Sequence, residues 1–476
     1  MNILFITLDQ FRGDSYGAAG HPLVTTPTLD QWAREGQRLT KHYSQSAPCS
    51  PGRAALYTGT YQMNNRVVAN GTPHPDDLAN VTDVLRAAGF DPTLFGYTDQ
   101  GLNPSMAAGS DDPRLDNYDG VLRGFSVGLY MPEDQGPWVR WLRQLGHDVP
   151  FGWADALRQE PTRPAEHSLT AFTVNRFLGW LDQQESGWCA HLSFLRPHPP
   201  YAAAGHFSKA VDPDDVSVPI APVSEAERHP LHAITMKVEA SAAPTSEADV
   251  RHLRAQYYGM INEVDSQLAR VDAALAARGE RDDTLIIVTS DHGEQLGDHG
   301  LKEKLAFFPQ SYHILGIWRD PRRAPGVVSS FTENVDVMAT LAETLGVDCP
   351  RSVDGRSLVP LFDDPTTTWR TAAHYEWDWR YFFINDKTPR WPAERRLSTY
   401  NLAATVSDDL ALVSFGDGTL LHFDLAADPT WRTPCADTDR VLAAASEQLA
   451  WRAQHLRRET TDMLLLPHRP GYWAEL

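Results

Sequence analysis

Thr284-Leu285-Ile286-Ile287-Val288, followed at once by Thr289-Ser290-Asp291-His292, is the stretch on which the fold turns. Its apolar run has no polar alternation, which fits a parallel strand buried on both faces between layers of helices. The turn Arg281-Asp282-Asp283 leads into it from a long helical pattern. There Val250, Leu253, Tyr257, Ile261, Val264, Leu268, Val271 and Leu275 recur at steps of three and four residues. Ser246 and Asp249 outline a capping box at its start, and Gly279 ends it. One apolar face of this helix is expected to lie on a sheet. Open α/β sheets bind ligands at the carboxyl ends of their strands, where this one delivers Asp291 and His292.

Working outward, residues 2–8 read as the first strand, with Asp9 at its carboxyl end. Asp9 can therefore share a site with Asp291 although 282 positions separate them. Helices are expected at 27–35, entered from Thr26, at 53–58, at 81–88 before Gly89, and at 335–345 before Gly346. Strands are expected at 93–95, ending at Gly96-Tyr97, and at 188–194, broken by Arg196-Pro197-His198-Pro199-Pro200. The pattern is α/β: a large mixed, mostly parallel sheet flanked by helices. Residues 1–365 form the expected main domain, with long loop insertions at about 99–163 and 201–245 serving as lids, binding loops or oligomer contacts. In the first of these Trp138, Trp141 and Trp153 read as loop packing, with stacking on an aromatic leaving group as the alternative. Residues 366–476 read as a smaller α+β domain. It has a hairpin at 410–414 and 420–425 around Gly416-Asp417-Gly418, a helix at 440–457, and a tail at 464–476 whose Tyr472 and Trp473 suit a subunit contact.

Composition narrows the function. The chain has 476 residues, 42% hydrophobic and 22% charged, as in ordinary soluble globular proteins. A net charge of −20 argues against nucleic acid or an acidic membrane as partner, and an anionic substrate would need local positive groups to capture it. No segment is long enough for a membrane span, and residues 2–8 lack the flanks of a signal peptide, so a cytoplasmic location is expected. Cys49, Cys189, Cys349 and Cys435 are scattered, which fits neither a disulfide framework nor a zinc knuckle.

A second stretch, Cys49-Ser50-Pro51-Gly52-Arg53 before Ala54-Ala55-Leu56-Tyr57-Thr58-Gly59, places a thiol at or beside a helix N-terminus. The dipole there favours an anion and lowers a thiol pKa, making Cys49 a candidate nucleophile; an inert buried cysteine is the competing reading. Asp9, Asp291 and His292 offer two carboxylates and an imidazole, a donor set for Mn²⁺, Ca²⁺ or Mg²⁺. Arg53, His198 and Lys304 supply positive groups, each of which has a solvated or structural alternative.

Taken together, Leu8-Asp9-Gln10, the Cys49–Arg53 stretch with Tyr57-Thr58-Gly59, Thr289-Ser290-Asp291-His292-Gly293-Glu294, Leu296-Gly297-Asp298-His299 and Asp354-Gly355-Arg356-Ser357-Leu358 resemble the formylglycine-dependent sulfatases of the alkaline phosphatase superfamily. Tyr61-Gln62-Met63-Asn64-Asn65-Arg66, Arg196-Pro197-His198-Pro199-Pro200 and His374-Tyr375-Glu376-Trp377-Asp378 are similar to its phosphonate monoester hydrolase/phosphodiesterase branch. The resemblance implies that a formylglycine-generating enzyme converts Cys49 to formylglycine (3-oxoalanine). One hydroxyl of its hydrate would attack sulfur or phosphorus and expel the alcohol, and the other would drive collapse back to the aldehyde.

By the same resemblance Asp9, Cys49, Asp291 and His292 match the ligands of one divalent metal ion, with Mn²⁺ favoured and Ca²⁺ the alternative. Arg53 would hold the modified side chain. Asn70, His198 and Lys304 match contacts to the transferred group, with His198 or Lys304 protonating the leaving oxygen, and Tyr97 and Asp99 match further pocket positions. Asp99 stands where the phosphonate branch has Thr, Gln10 where many sulfatases have Asp, and Cys-Ser-Pro-Gly-Arg is the arylsulfatase form of the core. The expected substrate is a small singly charged ester. Sulfate monoesters come first, with phosphonate monoesters and phosphodiesters as the alternative, and a homo-oligomer (dimer or tetramer) is expected. A thiol-based phosphatase and a catalytically silent metal and anion binder remain as the competing classes.

Overall fold

Every residue of β1 (Asn2–Leu8) is buried, and its side chains alternate between two separate cores. Leu4, Ile6 and Leu8 face the layer that holds Tyr257, Ile261, Val264 and Leu268 of the long helix Glu247–Ala277. Ile3 and Phe5 face the opposite layer, with Leu56 and Tyr57 of the helix Cys49–Thr58 and Met338 and Leu341 of the helix Asp336–Leu345. A strand covered on both faces reads as apolar throughout, which is why β1 is legible as a strand. The computed structural model describes residues 1–75, 77–102, 107–109, 112, 120–149, 152–380 and 399–456.

The remaining strands in chain order are β2 (Gln37–Tyr43), β3 (Pro92–Gly96), β4 (Ser126–Tyr130), β5 (Cys189–Phe194), β6 (Thr284–Thr289), β7 (Gly316–Arg319) and β8 (Gly326–Glu333). They form one sheet in the order β4-β3-β5-β1-β6-β7-β2-β8, in which only β7 runs antiparallel to its neighbours. β1 lies between β5 and β6, pairing Thr7 with Ser193 on one side and with Thr289 on the other. Asp9, the proline-rich turn after Phe194 and Asp291 consequently emerge at one edge. A second, four-stranded antiparallel sheet is made of β9 (Ala373–Asp378), β10 (Asn401–Val406), β11 (Leu410–Phe415) and β12 (Leu420–Asp424). Its apolar face packs Tyr375, Trp377, Leu402 and Phe415 around Phe307, Phe308 and Tyr312. Glu376 N donates to Gln45 O at 2.9 Å, tying β9 to the segment just before Cys49.

The mixed, mostly parallel sheet flanked by helices is as the sequence indicates, and so are the long helix and the 410–425 hairpin. The Ser246 hydroxyl accepts from Asp249 N, as its capping position requires. The stretch 99–163 is more regular than expected of a loop. β4 adds an edge strand to the main sheet, and the helices Gly136–Gln144 and Trp153–Arg158 follow it. The alternation that marks a strand is hidden in Ser126-Val-Gly-Leu-Tyr130 because Val127 faces solvent at the sheet edge. Trp138 is wholly buried in the core, in keeping with the packing reading, whereas Trp153 is only half-buried. The tail 464–476 lies outside the described residues. No described helix is long and apolar enough to cross a membrane.

Candidate metal and ester site

The carboxyl ends of β1 and β6 are held together by backbone contacts. Gln10 N donates to Asp291 Oδ1 at 3.1 Å, and Phe11 N donates to Ser290 Oγ at 2.8 Å. Cys49 is the first residue of the helix Cys49–Thr58, whose first turn presses against Asp291. A Cβ at Gly52 would lie 2.4 Å from Asp291 O, so this approach admits only glycine. Gly96, at the end of β3, has φ +125° and would place a Cβ 2.0 Å from Ser193 O; its freedom lets the chain turn inward to present Tyr97.

Asp9, Cys49, Asp291 and His292 are all buried, and their four candidate ligand atoms lie within 4.8 Å of one another. His292 Nδ1 sits 3.1 Å from Gly293 O and so carries the proton, leaving the Nε2 lone pair aimed into the cluster. That Nε2 is 3.3 Å from Cys49 Sγ, 3.8 Å from Asp9 Oδ1 and 3.9 Å from Asp291 Oδ1. Burial and the Lys304 ammonium hold the imidazole down to about 3, neutral and able to ligate. Burial, with the field of Asp9, raises Asp291 to about 7. For Asp9 burial acts in the same direction, but His198, Arg53, His292 and Lys304 outweigh it and hold the group below the usual carboxylate range. Two buried carboxylates, a neutral imidazole and a sulfur at mutual ligand distances fit one divalent cation.

Arg53 is completely buried behind this cluster and divides its donors between the two carboxylates. Nε donates to Asp291 Oδ2 at 3.0 Å and Nη2 to Asp9 Oδ2 at 3.2 Å. Nη1 donates to Ser193 Oγ at 2.7 Å and to Tyr97 O at 3.2 Å, and the guanidinium lies 4.2 Å from the Tyr97 ring centre. The Tyr97 hydroxyl donates to Asp9 Oδ2. Arg53 thus ties the metal-ligand candidates Asp9 and Asp291 to Ser193 and Tyr97. Burial and then Asp9 push the Cys49 thiol well above its ordinary value, the reverse of the direction expected from its place at a helix N-terminus.

Lys304, from the segment between β6 and β7, and His198, from the turn after β5, meet beside the cluster. Lys304 Nζ donates to His198 Nε2 at 3.0 Å and to Gln10 Oε1 at 2.9 Å. Gln10 Nε2 in turn donates to Glu294 Oε2, which also accepts from the Tyr201 hydroxyl at 2.9 Å. Burial and Lys304 push His198 down to about 4, and its Nδ1 lies 2.8 Å from Pro199 O. It is therefore a neutral imidazole whose Nε2 accepts the ammonium proton. Burial opposes the charge on Lys304, yet Cys49, Glu303, Asp9 and Asp291 raise its pKa above the ordinary value.

A narrow cleft reaches this floor from outside, past Asn70, Tyr97, Asp99, Met131, Glu133 and Trp153. Asn70 Oδ1 accepts from Ser50 N at 3.0 Å, steadying the turn that carries Cys49. Asp99, in left-handed backbone at φ 58°, is pushed up to about 7 by burial, helped by Asp9 and Asp291 and opposed by Arg53 and a Ser50 hydrogen bond. Wider depressions lie elsewhere, as between Arg322 and Asp363, but they do not reach Cys49. All ten residues singled out from the sequence, Asp9, Cys49, Arg53, Asn70, Tyr97, Asp99, His198, Asp291, His292 and Lys304, thus converge on one site. Ser193, Glu294 and the direct role of Gln10 were missed. Gln10 and Glu294 adjoin strand-end motifs, which was a usable signal; Ser193 inside β5 gave none.

A family model described as Sulfatase matches residues 1–347. The multifunctional alkaline phosphatase superfamily protein PehA of Trinickia caryophylli is 35% identical over 500 residues, covering 97% of this chain and 96% of that protein. The crystal structure of the phosphonate monoester hydrolase of Agrobacterium radiobacter superposes with a TM-score of 0.88 at 37% identity, over 98% of this chain and 100% of that one. Phosphonate monoester hydrolase SpPMH from Silicibacter pomeroyi gives a TM-score of 0.88 at 30% identity, over 98% and 97%.

Proposed function

This chain belongs to the sulfatase family of ester hydrolases, and from that premise we propose that it cleaves singly charged esters of phosphorus and sulfur, phosphonate monoesters first and sulfate monoesters second. The order rests on the named activities of its phosphonate-hydrolase relatives; the sequence alone favours the reverse. The observation that carries the reading is one cleft holding both a buried donor set for a cation and the Lys304–His198 pair.

Asp9, Asp291, His292 and residue 49 would hold a divalent cation that would supply Lewis acidity toward the ester, and the imidazole donor favours Mn²⁺ over Ca²⁺. Residue 49, as the hydrate of formylglycine made from Cys49, would supply the nucleophilic hydroxyl of this reading. Arg53 keeps the Asp9 and Asp291 oxygens oriented and takes up part of their charge. Asn70 holds the turn of residue 49 in place. Lys304 is the proton donor to the leaving oxygen, because the neutral His198 has its Nε2 lone pair, and no proton, toward Lys304. Its ammonium also offsets the negative field that the chain presents to an anionic ester.

Turnover of phenyl sulfate, a phenyl phenylphosphonate monoester and a diaryl phosphodiester by purified protein tests the reading, and silence on all three ends it. Mass spectrometry of the peptide carrying residue 49 tests the nucleophile. Fully active protein with an intact thiol there would exclude the aldehyde.

A further inference from the structure

Lys304 is held from two sides, and both holds run to one carboxylate. Glu294 is wholly buried and receives four donors. Its Oε1 accepts from Leu296 N at 2.8 Å and from Glu303 N at 2.6 Å, and its Oε2 accepts from Gln10 Nε2 and from the Tyr201 hydroxyl at 2.9 Å. The two backbone donors share a further property. Leu296 and Glu303 both lie in left-handed backbone, at φ 53° and 61°, a conformation strained for any residue but glycine that persists only where the surroundings impose it. Glu303 immediately precedes Lys304, and its carbonyl is fixed as well, accepting from Gln295 N at 2.8 Å. The clamp on Oε1 therefore sets the direction in which the chain enters residue 304.

The Oε2 side sets the other end of the lysine. A glutamine amide has nearly the same shape in either orientation, so its hydrogen-bond partners decide which way it points. Because Glu294 Oε2 takes the Gln10 amide N–H, Gln10 Oε1 is left facing Lys304 Nζ, from which it accepts at 2.9 Å. Turned over, the same amide would aim N–H groups at an ammonium. His198 Nε2 at 3.0 Å and Glu303 Oε2 at 3.6 Å also lie beside Nζ. We propose that Glu294 is a positioning residue for Lys304, orienting its ammonium through the Gln10 amide and its backbone through Glu303 N. The four donors to Glu294 come from none of the candidate metal ligands Asp9, Cys49, Asp291 and His292. The inference rests on the proposed role of Lys304 as proton donor and adds the residue that keeps it in place.

Glu294→Gln tests this, because its remaining carbonyl can still accept from Leu296 N and Glu303 N while its new amide N–H faces the Gln10 amide and turns it over. With Mn²⁺ saturating, hydrolysis of an alkyl phenylphosphonate ester is expected to slow by about tenfold to a hundredfold, and that of the 4-nitrophenyl ester by less than about threefold. Gln10→Met cuts the same link while leaving Glu294 and its backbone donors in place. It should give the same split, and it carries the test if Glu294→Gln does not fold. A packing defect lowers both esters alike, so equal losses overturn the positioning role. A Mn²⁺ Kd weakened by about tenfold or more in Glu294→Gln, read by calorimetry, assigns the residue to the cation site instead and overturns it too. Lys304→Met on the same two esters separates this inference from the reading beneath it. If Lys304→Met shows the split and the other two variants do not, only the positioning role falls. If Lys304→Met lowers both esters alike, the proton-donor reading fails and the inference falls with it.

Discussion

Lys304 Nζ stands 3.0 Å from His198 Nε2, and the proton between them belongs to the lysine. The imidazole is pushed down to about 4 by burial and by Lys304, while the lysine is held above its ordinary value. Lys304→Met should therefore slow hydrolysis by about 10²- to 10⁴-fold for an alkyl leaving group and far less for 4-nitrophenol, which departs without protonation. A steeper dependence of kcat on leaving-group pKa in the variant is the readout. Equal loss on both esters would remove the proton-donor role. His198→Asn should keep the leaving-group dependence of the wild type, because it leaves the donor in place.

Arg53 is the sole protein cation hydrogen-bonded to both Asp9 and Asp291 among the described residues. Arg53→Met leaves two buried carboxylates facing each other and should cost about 3–5 kcal/mol in metal-free protein. Saturating Mn²⁺ should recover part of that, since a divalent ion can neutralise the same oxygens. Urea unfolding with and without Mn²⁺ measures both effects. A loss below about 1 kcal/mol in the metal-free state would contradict the bridging role.

Chelation should abolish turnover, and Mn²⁺ should restore it more fully than Ca²⁺. The ion should also raise unfolding stability by about 2.7 kcal/mol at a hundred times its Kd, as for any ligand that binds only the folded chain. Asp291→Asn should weaken this stabilisation, because it removes a charged donor. Thermal shift in the presence of a metal series reads the effect independently of activity.

Glu263, inside the long helix, is buried and accepts hydroxyl hydrogen bonds from Ser168 at 2.6 Å and Thr170 at 2.9 Å. Burial and Glu160 push it up to about 7 from 4.5. A folded-state pKa above the unfolded one favours folding while the group stays protonated. The contribution is present in full below about pH 4.5 and is lost as pH rises through about 7. Glu263→Gln should flatten that part of the stability profile, by a span of about 3 kcal/mol. Chemical denaturation at pH 5 and pH 8 on both proteins gives the difference, and parallel profiles would show that Glu263 titrates normally.

Much of this arrangement is legible in the chain because burial on two faces leaves a plain signature. β1 and β6 are apolar runs that end in Asp9 and in Asp291-His292, and the rule that ligands sit at strand carboxyl ends joins them. β2 and β7 escape reading for physical reasons. Gln37-Arg-Leu-Thr-Lys-His-Tyr43 is half polar because several of its side chains are only partly buried, and β7 has only four residues. Contacts such as Arg53 to Ser193, 140 positions apart, depend on register between strands and leave no pattern in sequence. Asp99 stood out as the odd residue against the family pattern, but its burial in the cleft wall is visible only once the cleft is formed.

Cys49 is 5% exposed, its helix begins at that very residue, and Gly52 is pressed against the Asp291 carbonyl. If residue 49 is rewritten as proposed, an enzyme acting on the folded protein would have to reach a side chain that the fold encloses. The burial that shelters residue 49 for chemistry would then set a deadline for its maturation, before the helix Cys49–Thr58 packs against Asp291.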